Sequence, residues 1–198
     1  MMTRWYCSRA FLFLACATMC VAVVACGGGG GGGHHAAGPI FRCSDAAAAQ
    51  DVVALFCSQR TQQDVWRINV IIGGPTISTD ISGFNFDVVF DPADLSYVSG
   101  SAVLGTLLNQ DGDDPLLAVS VASNDPGRLI VGVHRTNQPN GVQGSAPLNL
   151  ILQFSMRANL LSQFGPVLLQ FQNAEGVDSS GAPIGSITFS DQLLLSVQ

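Results

Sequence analysis

The stretch LNLILQFSM at positions 148–156 sorts its residues by parity. Leu148, Leu150, Leu152, Phe154 and Met156 fall on one face, and Asn149, Gln153 and Ser155 on the other. Such a period of two is the pattern of a strand with one face on a core, and a helix of period 3.6 would scatter it. Ile151 is the one residue out of step. FNFDVVF at 84–90 repeats the pattern, with Phe84, Phe86, Val88 and Phe90 inward and Asn85 and Asp87 outward. LIVGV (129–133) and VLLQF (167–171) are shorter cases; VWRINVII opens the series at Val65 and LLLSV closes it. Trp66 shares the parity of Ile68, Val70 and Ile72 and is expected in the core, while Leu168 is expected to point outward.

Turn signals separate these runs: Gly73-Gly74-Pro75, Asp91-Pro92, Asp111-Gly112, Asp125-Pro126-Gly127, Asn140-Gly141, Gly165-Pro166 and Ser180-Gly181. The expectation is an all-β chain, an antiparallel β-sandwich of jelly-roll type with about nine strands. No helical crossovers separate the runs, which disfavours a parallel α/β fold.

The N-terminal region reads differently. Residues 1–9 carry Arg4 and Arg9 and no acid, and residues 10–25, AFLFLACATMCVAVVA, are apolar or small throughout. This predicts a secretory signal peptide, too short for a membrane span of about 20 residues. Val23-Val24-Ala25-Cys26 resembles the lipobox of bacterial lipoproteins. The resemblance implies cleavage before Cys26 and acylation of its thiol and new amine, an anchor in the lipid bilayer. An ordinary cleaved signal or a short membrane anchor is the alternative. Gly27–Gly33 follows as a flexible spacer of about 15 Å root-mean-square length, and residues 26–42 are assigned to this tether. His34 and His35 sit in it and are read as spacer, because two ligands on a floppy segment make a poor metal site.

Residues 43–60 are expected to form a short helical segment. SDAAAAQDVVALFC offers Ser44 or Asp45 as N-cap. Cys43 and Cys57 bracket it, a pair suited to a disulfide in an oxidising compartment. A straight helix between them would hold the pair about 21 Å apart, so a bridge requires a shorter helix, near 46–53. The folded domain is assigned to 61–198.

Past the signal, six arginines face fourteen acids and there is no lysine. That balance argues against nucleic acid or an anionic membrane surface as a partner. Catalytic motifs are missing: there is no G-x-S-x-G elbow, no phosphate loop and no H-E-x-x-H. The aspartates sit mostly at turns, where they cap backbone, and His134 reads as an exposed strand-end histidine. The expectation is a non-enzyme with no cofactor. Asn109, Asp111 and Asp113 in NQDGDDP alternate and are the candidate ligands of a structural calcium ion. Ser120 stands where an EF-hand-like loop needs its bidentate acid, so the alternative is an acidic surface turn.

ISGFNFDVVFDPADLSYVSGSAVLGTLL (81–108) resembles the cohesin domain. The shared pattern is a glycine, an alternating aromatic strand, then an Asp-Pro turn followed by a leucine: Gly83, Phe84, Phe86, Asp91, Pro92 and Leu95. The later stretch RLIVGVHRTNQPNGVQGSAPLNLILQF is similar in order and spacing, with Gly144, Leu148, Ile151 or Leu152, and Phe154. The likeness covers roughly 65–198. It implies a nine-strand jelly roll that binds a dockerin-like protein module; related modules bind polysaccharide. The chain is expected to depart from cellulosomal cohesins as a single domain behind a lipid anchor and not joined to a scaffold. The expected function is therefore a non-catalytic, membrane-anchored adaptor of the bacterial cell envelope. The alternatives are a carbohydrate-binding module and a structural or secretion-associated envelope protein. Exposed aromatics on one sheet face would favour sugar; a mixed polar and small-apolar face would favour protein.

Overall fold

A computed structural model describes residues 41–43, 48–62, 64–74, 79–137, 139–144, 149–159, 166–190 and 193–197. The expectations for the signal peptide, Cys26, the glycine run, His34 and His35 lie outside the described residues.

Twelve strands are formed among the described residues: β1 (Phe41–Cys43), β2 (Val52–Gln62), β3 (Val65–Ile72), β4 (Ile81–Val89), β5 (Leu95–Tyr97), β6 (Val103–Leu104), β7 (Leu116–Ala122), β8 (Asp125–His134), β9 (Leu150–Ala158), β10 (Val167–Asp178), β11 (Thr188–Phe189) and β12 (Leu193–Val197). They make two sheets. The first runs β1-β12-β10-β4-β8-β7 and the second β11-β2-β3-β9-β5, with β6 also paired to β9. Every pairing is antiparallel except β11 with β2. The all-β sandwich is as expected. The strand count exceeds nine because β1, β5, β6 and β11 are only two or three residues long, too short to show a period.

The inward parities meet between the sheets. Phe84, Phe86 and Val88 of β4 and Leu129, Val131 and Val133 of β8 come from one side. Ile68, Val70 and Ile72 of β3 and Leu152, Phe154 and Met156 of β9 come from the other. Trp66 is buried with them, as its parity requires. Phe171 of the first sheet stands edge-on to Phe86 and to Phe189 of the second, each pair 5.2 Å between centroids. Edge-to-face contacts of this kind add about 0.5–1.5 kcal/mol beyond area burial.

Three expectations need correction. The segment expected as a helix near 46–53 holds no helix among its described residues, and from Val52 it is strand β2. The alanine run favours a helix, but Val52-Val53 and the period-two placement of Val53 and Leu55 fit a strand, and β3 supplies the ladder. The sandwich therefore begins before residue 61, with β2 inside the second sheet. The turn expected at Asp125-Pro126-Gly127 lies two residues earlier, at Ser123-Asn124, because Ala122 pairs with Asp125 across a two-residue hairpin. Finally, Ile151 is neither outward nor exposed. The register between β3 and β9 slips there, with Val70 opposite Leu152 and Ile71 opposite Leu150. Ile151 is the extra residue of a β-bulge. Its carbonyl accepts the Gly105 N–H at 2.8 Å, the Leu150 carbonyl accepts that of Leu107 at 2.9 Å, and the side chain is buried.

Candidate binding face

The outer face of β10-β4-β8-β7 is built in rows by the ladder register. One row runs Gln172, Asp87, Ile130, Ser120; the next runs Glu175, Asn85, Gly132, Ala118; a third runs Gly83, His134, Leu116. Polar groups lie on the β10-β4 side, and small or apolar groups on the β8-β7 side.

The polar side is fixed by contacts among its own members. Asp87 points outward yet is only 4% exposed. Its Oδ2 accepts from Arg128 Nε at 2.9 Å, from Arg128 Nη2 at 2.6 Å, and from Asn173 Nδ2 at 2.7 Å. Asn173 reaches it from a bulge in β10 between Gln172 and Glu175, where it adopts φ +48°. Asparagine tolerates this left-handed backbone better than most residues, and the bulge turns its amide onto the face. A second chain crosses the sheet nearby. Asn85 Nδ2 donates to Glu175 Oε1 at 3.2 Å, which leaves Asn85 Oδ1 facing His134 Nε2 at 2.8 Å. An amide oxygen only accepts, so Nε2 carries the proton. His134 is therefore half-buried and held, and not the exposed residue expected. Gly83 makes room for its ring: a Cβ at Gly83 would lie 2.3 Å from His134 Nδ1 and 2.6 Å from the Val133 carbonyl oxygen.

The apolar side has a shallow concavity of about 280 Å³ with Gly132 in its floor and Asn85, Asp87, Ala118, Ser120 and Ile130 around it. A Cβ at Gly132 would meet only Asn85 Oδ1, at 3.5 Å. The domain's own packing does not require glycine there, although glycine weakens a strand interior. Ile130 and Leu116 project beside it, 42% and 65% exposed. The large hydrophobic residues exposed among the described residues are Val103, Leu116, Val121, Ile130 and Leu194, none of them aromatic.

In the acidic turn the carboxylates are placed against an arginine. Asp111 takes the Arg135 guanidinium with both oxygens, Oδ1 from Nη1 at 2.9 Å and Oδ2 from Nη2 at 2.6 Å. The Arg135 side chain is fully buried, and it also donates to the Leu108 carbonyl at 2.8 Å. Asp113 Oδ2 lies 3.9 Å from Arg135 Nε and accepts the Thr136 N–H at 3.2 Å. Asn109 contributes its carbonyl to the turn, accepting the Gly112 N–H at 3.0 Å. Both carboxylates are thus turned toward a guanidinium. Among the described residues no group of three or more His, Cys, Asp or Glu side chains could hold a metal ion. The Arg135 guanidinium holds the Asp111 carboxyl below its usual pKa.

Other aspartates accept bonds from backbone close by in the chain. Asp91, Asp125 and Asp178 accept backbone N–H groups two residues on. Asp80, at φ +63°, accepts from Gly141 N and Ser179 Oγ, and these bonds lower its pKa. Cys57 packs against the core; the Cys43 side chain lies outside the described residues.

At the level of sequence no protein-family profile matches the chain, nor does any curated protein. In structure it is similar to a type II cohesin domain from the cellulosome of Acetivibrio cellulolyticus, with a TM-score of 0.52 at 12% identity over 72% of this chain and 93% of that one. The sixth cohesin of scaffoldin B from the same organism, solved in complex with a mutant Cel5 dockerin, gives 0.51 at 14% identity over 70% and 93%. The second type II cohesin module of its adaptor scaffoldin ScaA gives 0.50 at 14% over 75% and 88%. The described sandwich has the cohesin fold.

Proposed function

We propose that this chain is a non-catalytic, lipid-anchored protein of the bacterial cell envelope whose sandwich holds a partner protein module on the outer face of β10-β4-β8-β7. The observation that carries the reading is the composition of that face: an unfilled depression over Gly132, flanked by exposed Ile130 and Leu116 and bordered by polar groups locked in place. A small-apolar centre with a polar rim is how protein interfaces are built. A polysaccharide binder would set out exposed aromatic rings, and the exposed large apolar groups of the described residues are all aliphatic. The dockerin bound to the similar scaffoldin B cohesin supports a module of dockerin type as the partner. Acylation of Cys26, with Gly27–Gly33 as the spacer, would hold the domain at a membrane, and a Cys43–Cys57 bridge would tie β1 to β2.

The test is a pull-down from the organism's own envelope and secreted fractions, with wild type beside the Ile130→Arg/Gly132→Gln double variant. Ile130 is exposed and a Cβ at Gly132 would meet nothing closer than 3.5 Å, so the variant should keep its fold. One dominant protein held by wild type and lost from the variant supports the reading, and its loss on calcium chelation supports a dockerin-type module. Equal capture by both, or retention of wild type on polysaccharide alone, refutes it. Incorporation of labelled palmitate, abolished in Cys26→Ala, tests the anchor.

A further inference from the structure

The two sheets end, among the described residues, in β1, β11, β5 with β6, and β7. All but β7 are two or three residues long. Short edges present too few free N–H and C=O groups to template another chain. β7 has seven residues, LLAVSVA, paired with β8 on one side. It carries none of the devices that blunt an edge: no charge, no proline, and a register shift only at Ala122. Leu116 is exposed on its outer face, and Val121, which pairs with inward-facing Leu129, is still 39% exposed.

We propose that the free edge of β7 takes up an extended segment of a partner protein, an apolar strand with a basic residue at each end, as a further strand of the first sheet. This rests on the protein-binding reading above and adds a second contact to it. Backbone hydrogen bonds supply the affinity in such strand addition, and alternate side chains supply the selection. On one face the incoming side chains would lie beside Leu116, Ala118 and Ser120; on the other they would cover Val121.

Charge decides the occupant. Asp114 precedes β7, and Asp125 opens β8 across the hairpin from Ala122 at the far end of the strand; both are exposed, and neither forms an ion pair among the described residues. A second copy of the chain, laid antiparallel, would bring these carboxylates to both ends of the seam between two chains that each carry a net −6. One seven-residue edge also falls short of the roughly 1,000 Å² that a specific dimer buries. A strand with arginine or lysine at each end meets both carboxylates with opposite charge.

The test measures hydrogen–deuterium exchange of the full chain in detergent with a nine-residue peptide of alternating valine and threonine, capped at each end by arginine. The expected result is slowing of β7 amide exchange by tenfold or more. An N-methylated peptide, which cannot pair an edge, should give none. Asp114→Arg/Asp125→Arg should switch the preference to the same peptide capped by glutamate. No slowing in β7, or equal slowing by both capped peptides on wild type, overturns the proposal. So does a concentration-dependent dimer, seen by sedimentation and lost in Val119→Pro, that pairs β7 without any peptide effect. The Ile130→Arg/Gly132→Gln variant should retain the β7 protection, so failure of the edge and failure of the face are read separately.

Discussion

Removal of the Asp87 carboxylate tests the polar side of the face directly. Its Oδ2 accepts three hydrogen bonds, two from Arg128 and one from Asn173. The Arg128 side chain is 37% exposed, so solvent screens the ion pair, which contributes about 1 kcal/mol. The amide bond from Asn173 contributes about 1 kcal/mol more. Asp87→Ala should therefore cost about 2 kcal/mol, which in a domain of this size lowers Tm by about 4–8 °C. Arg128→Ala should cost a similar amount for another reason, because it leaves a buried carboxylate with one partner in place of two, at about 1–3 kcal/mol. The double variant removes the charge and its partner together. It should fall short of the sum of the singles by about 1 kcal/mol. Urea denaturation of wild type, both singles and the double closes the cycle. Singles that add within about 0.3 kcal/mol, or an Asp87→Ala variant as stable as wild type, would refute the argument.

Further outcomes follow from other sites. Gly105→Ala would place a Cβ 2.0 Å from the Leu150 carbonyl oxygen, so it should lose about 2 kcal/mol or more in denaturation, within the range for overpacking; Gly132→Ala, with its nearest atom at 3.5 Å, should not destabilise. Phe154→Ala empties a fully buried site facing the other sheet and should cost about 3–5 kcal/mol by the same assay. Asp80, Asp111 and Asp178 all have pKa values lowered in the fold, chiefly by the Gly141 N–H, the Arg135 guanidinium and the Ser180 hydroxyl respectively. The unfolded chain binds their protons more readily, so the stability they confer is present above the ordinary value of 3.8 and is lost as pH falls below it. Thermal melts should show Tm falling from about pH 4 downward, and Asp80→Asn, which removes one such group, should flatten that fall.

The sandwich was legible because its core strands obey a period of two, and Phe84, Phe86, Val88, Leu152, Phe154 and Met156 all lie where their parity sends them. What escaped depends on partners remote in the chain. Ile151 breaks the alternation, and only the register with β3 reveals it as a bulge. Alanines at 46–49 read as helix, yet the strand that follows is decided by the ladder with β3. In NQDGDDP the partner of Asp111 is Arg135, 24 positions beyond it, which no local pattern announces. On the face, the outward parity of Asn85 and Asp87 was visible. The burial of Asp87 was not, because Arg128 and Asn173 come from other strands. The one local hint was Gly132, a glycine inside an otherwise regular strand.

The pairing of β1 with β12, Phe41 opposite Val197, bears on how the chain comes to be folded. The first described strand of the domain finds its neighbour only in the last. While the chain is being made it cannot complete its first sheet, and contacts so distant in sequence form slowly, on the millisecond-to-second scale typical of such sandwiches. A chain made from its N-terminus would stay open until β12 is in place. Loss of that strand should leave β1 and the apolar edge of β10 uncovered together, so truncation by a few residues at the C-terminus should produce aggregation rather than a smaller stable domain.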